Sequence, residues 1–236
     1  MNKIYDKFIN INENVKSYYH IYFNDNKEKI KNKYYIDEND VTKIRIIIDY
    51  QIKSFKNFKY CKCIEYINFI KFNRNNITNM SSIFNGCQLL KEINITNFNT
   101  NNVINMRYMF YLCSSLKEIN LSKFNTSKVK KMIGMFARCS SLKELNLSNF
   151  NTYNVTNMTE MFYNCFSLNE LNLSSFNTSN VTSMDSMFRE CSALKELDLS
   201  CFNTNKVKNM SFMFFGCSNE LKMKVISENP NIKINF

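Results

Sequence analysis

The chain has 236 residues, and its 31 Lys and Arg against 20 Asp and Glu give a formal net charge of +11. This excess favours solubility and permits contact with acidic proteins or nucleic acid, but charge alone does not choose between them. The sequence contains no run of about 18 apolar residues, which excludes a membrane-spanning helix. Charged residues interrupt its N-terminal stretch, which excludes a secretory signal peptide there, so we expect a cytoplasmic protein.

The first part of the chain has no internal period. It contains one plausible strand, Lys43 to Tyr50, preceded by ambiguous helical material, and we interpret residues 1–53 as an N-terminal cap or adjunct. Residues 54–79 form a degenerate first repeat, because several apolar positions keep the later phase while Ser54 stands at a Met position. We expect this first coil to shield the edge of the core.

A period of 26 residues governs the following part of the chain, and we assign residues 80–221 to regular repeats. The same residue types recur in phase, most clearly in one Phe column and one Cys column: Phe84, Phe110, Phe136, Phe162, Phe188 and Phe214, with Cys87, Cys113, Cys139, Cys165, Cys191 and Cys217. Self-similarity of this kind is typical of a solenoid, in which each unit buries its apolar face against its neighbours.

Each repeat contains two hydrophobic periods. Residues Glu118 to Ser122 alternate between polar and apolar side chains, which predicts a half-buried strand. The segment Val129 to Cys139 spaces its apolar residues by three and four, which predicts a short amphipathic helix. Because helices need more lateral room than strands, we predict a curved α/β solenoid with parallel strands on the concave side and short helices on the convex side.

The period ends after Cys217. The segment LKMKV, residues 221–225, predicts one more strand, and we interpret residues 222–236 as a C-terminal cap. Pro230 suits such an end, because proline cannot donate a hydrogen bond to a further strand.

The residue pattern offers little for catalysis or metal binding. The closest pair of potential metal ligands is Cys61 and Cys63, and His20 is the single histidine of the sequence. The in-phase cysteines lack a base in their own unit, so we interpret them as buried thiols that pack in the core. The three glycines fall in predicted helices and form no phosphate-binding loop. We therefore predict a protein that is not an enzyme, with no cofactor, no metal and no small-molecule substrate.

The predicted concave face is the candidate binding site. Strand alternation points two polar columns into it: Glu92, Glu118, Glu144, Glu170 and Glu196 in the first, and Asn94, Asn120, Asn146, Asn172 and Asp198 in the second. Rigid, extended polar sheets are surfaces that solenoids use to bind partners at little ordering cost. A surface that merely stays hydrated would show the same residues. We predict that these residues bind a protein partner, whose identity the sequence does not name.

A basic cluster leaves a nucleic-acid-binding solenoid open as an alternative. Lys128, Lys130, Lys131 and Arg138 lie in one predicted turn and helix. Nucleic-acid binding requires basic residues that follow the phosphates and is favoured by aromatic stacking surfaces. A solvated convex face explains the cluster equally without any ligand.

The segment CSSLKELNLSNFNTYNVTNMTEMF, which begins at Cys139, resembles the BspA-like leucine-rich repeats of the mycoplasma-lipoprotein type, found in bacteria and protists. The general formula L-x-x-L-x-L is matched at Leu142, Leu145 and Leu147, and the resemblance covers about residues 58–221. The chain departs from many leucine-rich repeats by carrying Phe at the position of their ladder Asn, which implies an aromatic spine at that turn. The resemblance implies a cell-surface adhesin as a further alternative, although surface members of this family carry export or lipid-attachment signals and we identify neither in this sequence.

Overall fold

The computed structural model describes residues 19–23, 44–48, 58–61, 64–69 and 76–232. Within these ranges the chain forms short strand pairs, a series of stacked turns and one helix. None of the described segments forms a helix with the length and apolar character needed to cross a membrane.

The N-terminal region contains an antiparallel strand pair. Strand β1, Tyr19–Phe23, pairs with β2, Ile44–Ile48, so that Tyr19 lies opposite Ile48. Strand β2 confirms the prediction made for Lys43 to Tyr50. The prediction of helical material before it is wrong for β1, where a run of aromatic and β-branched residues favours a strand. The remainder of residues 1–53 lies outside the described residues.

Four short strands occupy one side of the repeats. Strand β3, Tyr66–Asn68, pairs in parallel with β4, Glu92–Asn94, and β5, Glu144–Asn146, pairs in parallel with β6, Glu170–Asn172. Partners lie 26 residues apart, as in the pair Leu145 and Leu171, which confirms the predicted register. Strand β3, which belongs to the degenerate first repeat, follows the same 26-residue register. The predicted sheet is nevertheless interrupted, because the equivalent residues 118–120 and 196–198 form no assigned strand.

The predicted convex helices are wrong. Residues 133–138 form consecutive turns, in which the Met135 amide donates to the Met132 carbonyl. An α-helix would direct the Phe136 amide to Met132 as well, but this amide donates to Met161 of the next coil at 3.0 Å. The backbone can do this because Gly134 and Arg138 adopt positive φ angles of 55° and 63°, as the third residue of a type II turn does.

These turns are joined by a continuous ladder between coils. Parallel bridges link each coil to the next without a break, through Asn79, Asn105, Lys131, Asn157, Ser183 and Asn209. Alternate amides extend each bridge: Tyr108, Phe110 and Leu112 all donate to carbonyls of the following coil at 2.9 Å. In these three bonds the N–H points toward the C-terminal end of the stack.

The core consists of columns of equivalent side chains. Phe136 and Phe162 stack with ring centroids 5.9 Å apart and an interplanar angle of 1°, and the same stacking continues from Phe58 to Phe214. A column of leucines at the same phase of each repeat is fully buried as well, at Leu90, Leu116, Leu142, Leu168 and Leu194. Equivalent residues of successive repeats therefore lie on top of one another, as the period predicts.

The in-phase cysteines are buried thiols, as predicted, and they also donate hydrogen bonds. The Cys139 Sγ donates to the Phe110 carbonyl of the preceding coil at 3.1 Å, and the same contact recurs at the other in-phase cysteines. Burial raises the pKa of the Cys139 thiol to about 12, so this donor keeps its proton at neutral pH. Cys63, the partner in the sequence pair, lies outside the described residues.

A column of buried threonines forms a second polar link between coils. The Thr152 hydroxyl donates to the Asn177 carbonyl at 2.9 Å and accepts from the Asn177 amide at 2.8 Å. Thr100, Thr126 and Thr178 make the same pair of bonds to the following coil. Each buried hydroxyl therefore satisfies one backbone amide and one carbonyl.

The C-terminal segment contains helix α1, Asn219–Glu228, so the strand predicted for residues 221–225 is wrong. The Ser218 side chain accepts a hydrogen bond from the Leu221 amide at 3.1 Å and caps the helix. Leu221 and Val225, four residues apart, lie on one face of α1 and are fully buried in the core.

Candidate functional site: the strand face

The ten residues predicted to bind a partner all lie on the surface. We call the surface that they form the strand face: Glu92, Asn94, Glu118, Asn120, Glu144, Asn146, Glu170, Asn172, Glu196 and Asp198, each of which is exposed. Parallel pairing places Glu144 opposite Glu170 and Asn146 opposite Asn172. The structure therefore brings these pairs together as neighbours in two columns.

A shallow groove lies along the strand face. It has a volume of about 890 Å³ and is lined by Glu92, Glu118 and Glu144 together with the neighbouring asparagines. Its apolar lining includes Ile93 and Ile119, which the polar residues flank in sequence. A second, smaller groove of about 500 Å³ continues over the residues from Glu144 to Asp198. The grooves expose polar side chains along several consecutive coils, so an extended ligand could contact many of them at once.

The asparagine column also has a structural task, which the sequence analysis missed. The Asn146 Oδ1 accepts a hydrogen bond from the Ser148 amide at 3.0 Å, and Asn94, Asn120, Asn172 and Asp198 hold the residue two positions later in the same way. Such bonds close an Asx-turn that ends the strand segment. The recurring Asn-x-Ser or Asn-x-Thr spacing was a signal for this role.

The glutamate column is less constrained. Glu196 forms an ion pair with Lys224 of α1 at 3.0 Å. Lys91, which precedes Glu92 of the column, instead pairs with Glu65 at 2.7 Å. The hydrogen bond to Glu196 raises the pKa of Lys224. Across the described residues no ion pair engages the central carboxylates, Glu118, Glu144 and Glu170. These carboxylates are therefore available to accept hydrogen bonds from a ligand.

Tyr66 is a further surface residue of this face that sequence reasoning overlooked. It lies opposite Glu92 in the parallel pair β3 and β4, at the position that glutamate occupies in later repeats. Its side chain is 60% exposed and borders the larger groove. The signal for it was its phase, because Tyr66 precedes Glu92 by one period. The acidic column thus ends in an exposed aromatic ring.

Taken together, these groups can hydrogen-bond a polar ligand. The carboxylates are acceptors, and the asparagine side chains add amide donors whose orientation the Asx-turns restrain. Exposed aromatic rings such as Tyr66 add apolar contact area with a polar tip.

Comparison with known proteins identifies a family for the repeats. The family model described as "Mycoplasma protein of unknown function, DUF285" matches residues 52–146 and 139–227. No curated protein and no solved structure is significantly similar to the chain. The two matches overlap and together span most of the sequence, so the chain belongs to the DUF285 family of mycoplasma-type repeat proteins.

Proposed function

We propose that the protein is a non-catalytic interaction module that binds a protein partner through the strand face. The observation that carries this proposal is the alignment of exposed, unpaired carboxylates at Glu118, Glu144 and Glu170 above a continuous stacked core. A surface held by such a core loses little conformational entropy on binding.

The chemistry of this surface supports a polar polypeptide partner. Carboxylates and amides at a regular spacing can accept and donate hydrogen bonds along an extended chain, and a largely polar surface favours a reversible contact. A regular face discriminates weakly between partners, so irregular positions must add selectivity. Tyr66, where the glutamate column ends, is the clearest such position.

We further propose that the repeats are leucine-rich repeats of the BspA-like type and that the strand face is concave. The L-x-x-L-x-L residues Leu142, Leu145 and Leu147 are buried, as this type of repeat requires. The groove on the strand face is the shape that a concave sheet would produce. Small-angle X-ray scattering of the intact chain tests the curvature, because a straight stack of the same length would have a larger maximum dimension.

The double variant Glu144→Gln/Glu170→Gln tests the strand-face site. Each change removes a charge and an ionic acceptor but keeps the size of the side chain. Affinity capture with the intact chain should retain a set of proteins that this variant loses, and each partner should then be confirmed with purified protein by calorimetry. We expect a loss of affinity of tenfold or more, since each charged hydrogen bond contributes about 1.5–3 kcal/mol.

The matched control is Glu160→Gln/Asp185→Asn, which changes the net charge equally on the opposite side of the coils. The control should keep the partner, and thermal unfolding should be unchanged in both double variants. If the control loses the same proteins, binding depends on net charge only. If neither variant loses any protein, the partner site lies elsewhere on the chain.

A further inference from the structure

An arginine–aromatic patch lies on the opposite side of the coils from the strand face. We define this patch as Arg138, Tyr163, Arg189, Phe212 and Phe215. The Arg138 guanidinium lies 5.4 Å from the Tyr163 ring centroid, and the Arg189 guanidinium lies 5.6 Å from the same centroid. Two cations from different coils therefore contact one tyrosine ring.

Arg189 is surrounded by aromatic rings. Its guanidinium lies 5.5 Å from the Phe212 centroid and 5.1 Å from the Phe215 centroid, in addition to Tyr163. The two phenylalanines meet edge to face, and they are 57% and 48% exposed. Large aromatic side chains so exposed are surfaces onto which a planar ligand can stack.

Neither arginine side chain has a hydrogen-bond acceptor among the residues that the structure describes. The Nε atoms of Arg138 and Arg189 are buried and unpartnered, and no ion pair involves either side chain in the described part of the chain. Buried donors without partners require an explanation, and a ligand or an ion is one of the ordinary explanations. Guanidinium groups bind phosphates through a fork of N–H donors while an aromatic ring covers their plane.

The backbone adds further positive potential beside Phe212. In the earlier coils, the amides at the positions of Phe212, Phe214 and Gly216 donate to the next coil, and so do those of Met80, Met106, Met158 and Met184 at the position of Met210. In this last coil the four amides have no acceptor among the described residues. Aligned amides that end without acceptors attract anions, as backbone nests do.

Acidic side chains lie on the same side as the patch, and the Glu190 carboxylate packs against Gly216. Glu160 shares the column of Phe212, Glu190 shares that of Arg138, and Asp185 lies in a neighbouring column, yet none forms an ion pair with an arginine within the segments that the structure describes. Exposed basic residues, Lys130 and Lys131, lie in the coil of Arg138. The net charge of +11 strengthens the attraction of a polyanion to this side.

We propose that the arginine–aromatic patch binds single-stranded nucleic acid, with Arg138 and Arg189 on phosphates and Phe212 and Phe215 against bases. Single strands fit better than duplexes, because only unpaired bases expose a face to an aromatic ring. The surface and the ligand class differ from those of the strand face, so this proposal is independent of the proposed function.

Fluorescence anisotropy of the intact chain with oligo(U) RNA and oligo(dT) DNA of about 20 nucleotides tests this proposal. Titrations over a series of salt concentrations give the slope of log affinity against log salt. We expect binding that weakens steeply with salt. The variant Arg138→Gln/Arg189→Gln should reduce the magnitude of this slope by about 1.4, because each phosphate contact on a single strand contributes about 0.7.

The variant Phe212→Ser/Phe215→Ser separates stacking from charge. It should lower the affinity about tenfold or more at fixed salt and leave the slope unchanged, because stacking releases no counterions. The variant Arg138→Lys/Arg189→Lys should keep most of the slope while losing affinity, since lysine keeps the charge but not the planar fork.

The matched control is Lys117→Gln/Lys143→Gln, which removes the same charge from exposed lysines that flank the strand face. It should change the slope little. Failure of the intact chain to bind either oligonucleotide at low salt overturns the proposal, as does an equal effect of the control. If heparin displaces the oligonucleotide equally well from the wild type and from the phenylalanine variant, the patch binds polyanions through charge alone, without base stacking. Thermal unfolding of each variant identifies any effect that comes from lost folding.

Discussion

The two sides of the coils differ in how they are held together. On the turn side, bridges run without a break from Asn79 to Asn209, and stacked phenylalanines and thiol hydrogen bonds follow the same path. On the strand side, ladder pairing is confined to β3 with β4 and β5 with β6. The backbone of the turn side is therefore the more continuous scaffold, although the sequence pattern suggested the reverse.

The two sides therefore have different roles: buried side chains on the turn side stabilise the stack, and exposed side chains on the strand side form a surface. Buried columns on the turn side join each coil to two neighbours, whereas the glutamates of the strand face are exposed and, at Glu144 and Glu170, unpaired. Exposed positions away from special backbone features usually tolerate substitution within about 0.5 kcal/mol. The glutamates of the strand face can therefore change without disturbing the stack, which suits a surface for recognition.

The largest expected effect is at the phenylalanine stack. Phe136→Ala removes a fully buried ring that stacks on both neighbours, and should lower the free energy of unfolding by about 3–5 kcal/mol. Urea unfolding followed by circular dichroism measures the change. Phe166→Ala, at a ring that is 49% exposed, is the control and should cost about 1 kcal/mol or less. Equal losses would contradict a stabilising role for the buried stack.

The threonine column joins the two sides of the coil and should follow in size. Thr152→Val keeps the shape of the buried side chain but leaves the amide and carbonyl of Asn177 without their shared hydroxyl. We expect a loss of about 2 kcal/mol in the free energy of unfolding. Thr156→Val, at an exposed threonine of the same coil, should be nearly neutral. A neutral Thr152→Val would show that the hydroxyl bonds add no net stability.

The thiol column should make the turn side sensitive to alkaline pH. The pKa of Cys139 is raised by burial from 9.0 to about 12, so the folded state holds this proton more tightly than the unfolded chain. The associated stability is complete below pH 9 and is lost as the pH rises toward 12. Between pH 8 and pH 10, the loss should reach about 1.4 kcal/mol for this thiol.

Urea unfolding of the wild type and of Cys139→Ala at a series of pH values measures this loss as the difference between the two pH profiles. Cys201→Ala is the control, because Cys201 is only partly buried and desolvation therefore contributes less to raising its pKa. Parallel profiles for the wild type and Cys139→Ala would contradict the assignment of a protonated, hydrogen-bonded thiol.

The smallest effect should appear on the strand side. Asn146→Ala removes the Oδ1 that accepts from the Ser148 amide at 3.0 Å, and should cost about 1 kcal/mol. Asn146→Asp keeps that acceptor, as Asp198 does at the same position of a later coil, and should stay within about 0.5 kcal/mol of the wild type. If alanine and aspartate have the same effect, the Asx-turn does not contribute to stability and the asparagine column serves only the surface.

The helix prediction failed because two structures share one apolar spacing. Met132, Met135, Phe136 and Cys139 are separated by three, one and three residues, as on one face of a helix. Consecutive four-residue turns bury the same positions, because each turn brings the chain back to the same side after three or four residues. Gly134, at one of the positive-φ positions, was the local signal against a helix.

The strand-face residues were predictable because alternation depends only on the strand period. Glu144 and Asn146 point away from the buried Leu145, as the pattern required. Which lysines would pair with the glutamates was not predictable. Lys91 joins Glu65 of the preceding coil, and Lys224 reaches Glu196 from α1. Such pairs depend on whether a side chain of one coil can reach another coil, and the sequence of a single repeat does not specify this.

The arginine–aromatic patch was also beyond the reach of the sequence. Arg138, Tyr163 and Arg189 follow one another at intervals near the period, but arginine does not recur at the phase of either arginine in other coils. The patch forms because a side chain on the turn side of one coil reaches a side chain of the next coil, as the Arg138 guanidinium reaches the Tyr163 ring.

The 26-residue period by itself determined the stacking of equivalent residues, the burial of the Phe, Leu and Cys columns and the outward direction of the strand-face residues. It could do so because burial depends on the order of apolar residues along the chain. Only the tertiary structure decided that the amides of the turn side bond between coils and not within a helix. The physical reason is that a neighbouring coil supplies acceptors that compete with the local ones, and that neighbour exists only after the chain has stacked.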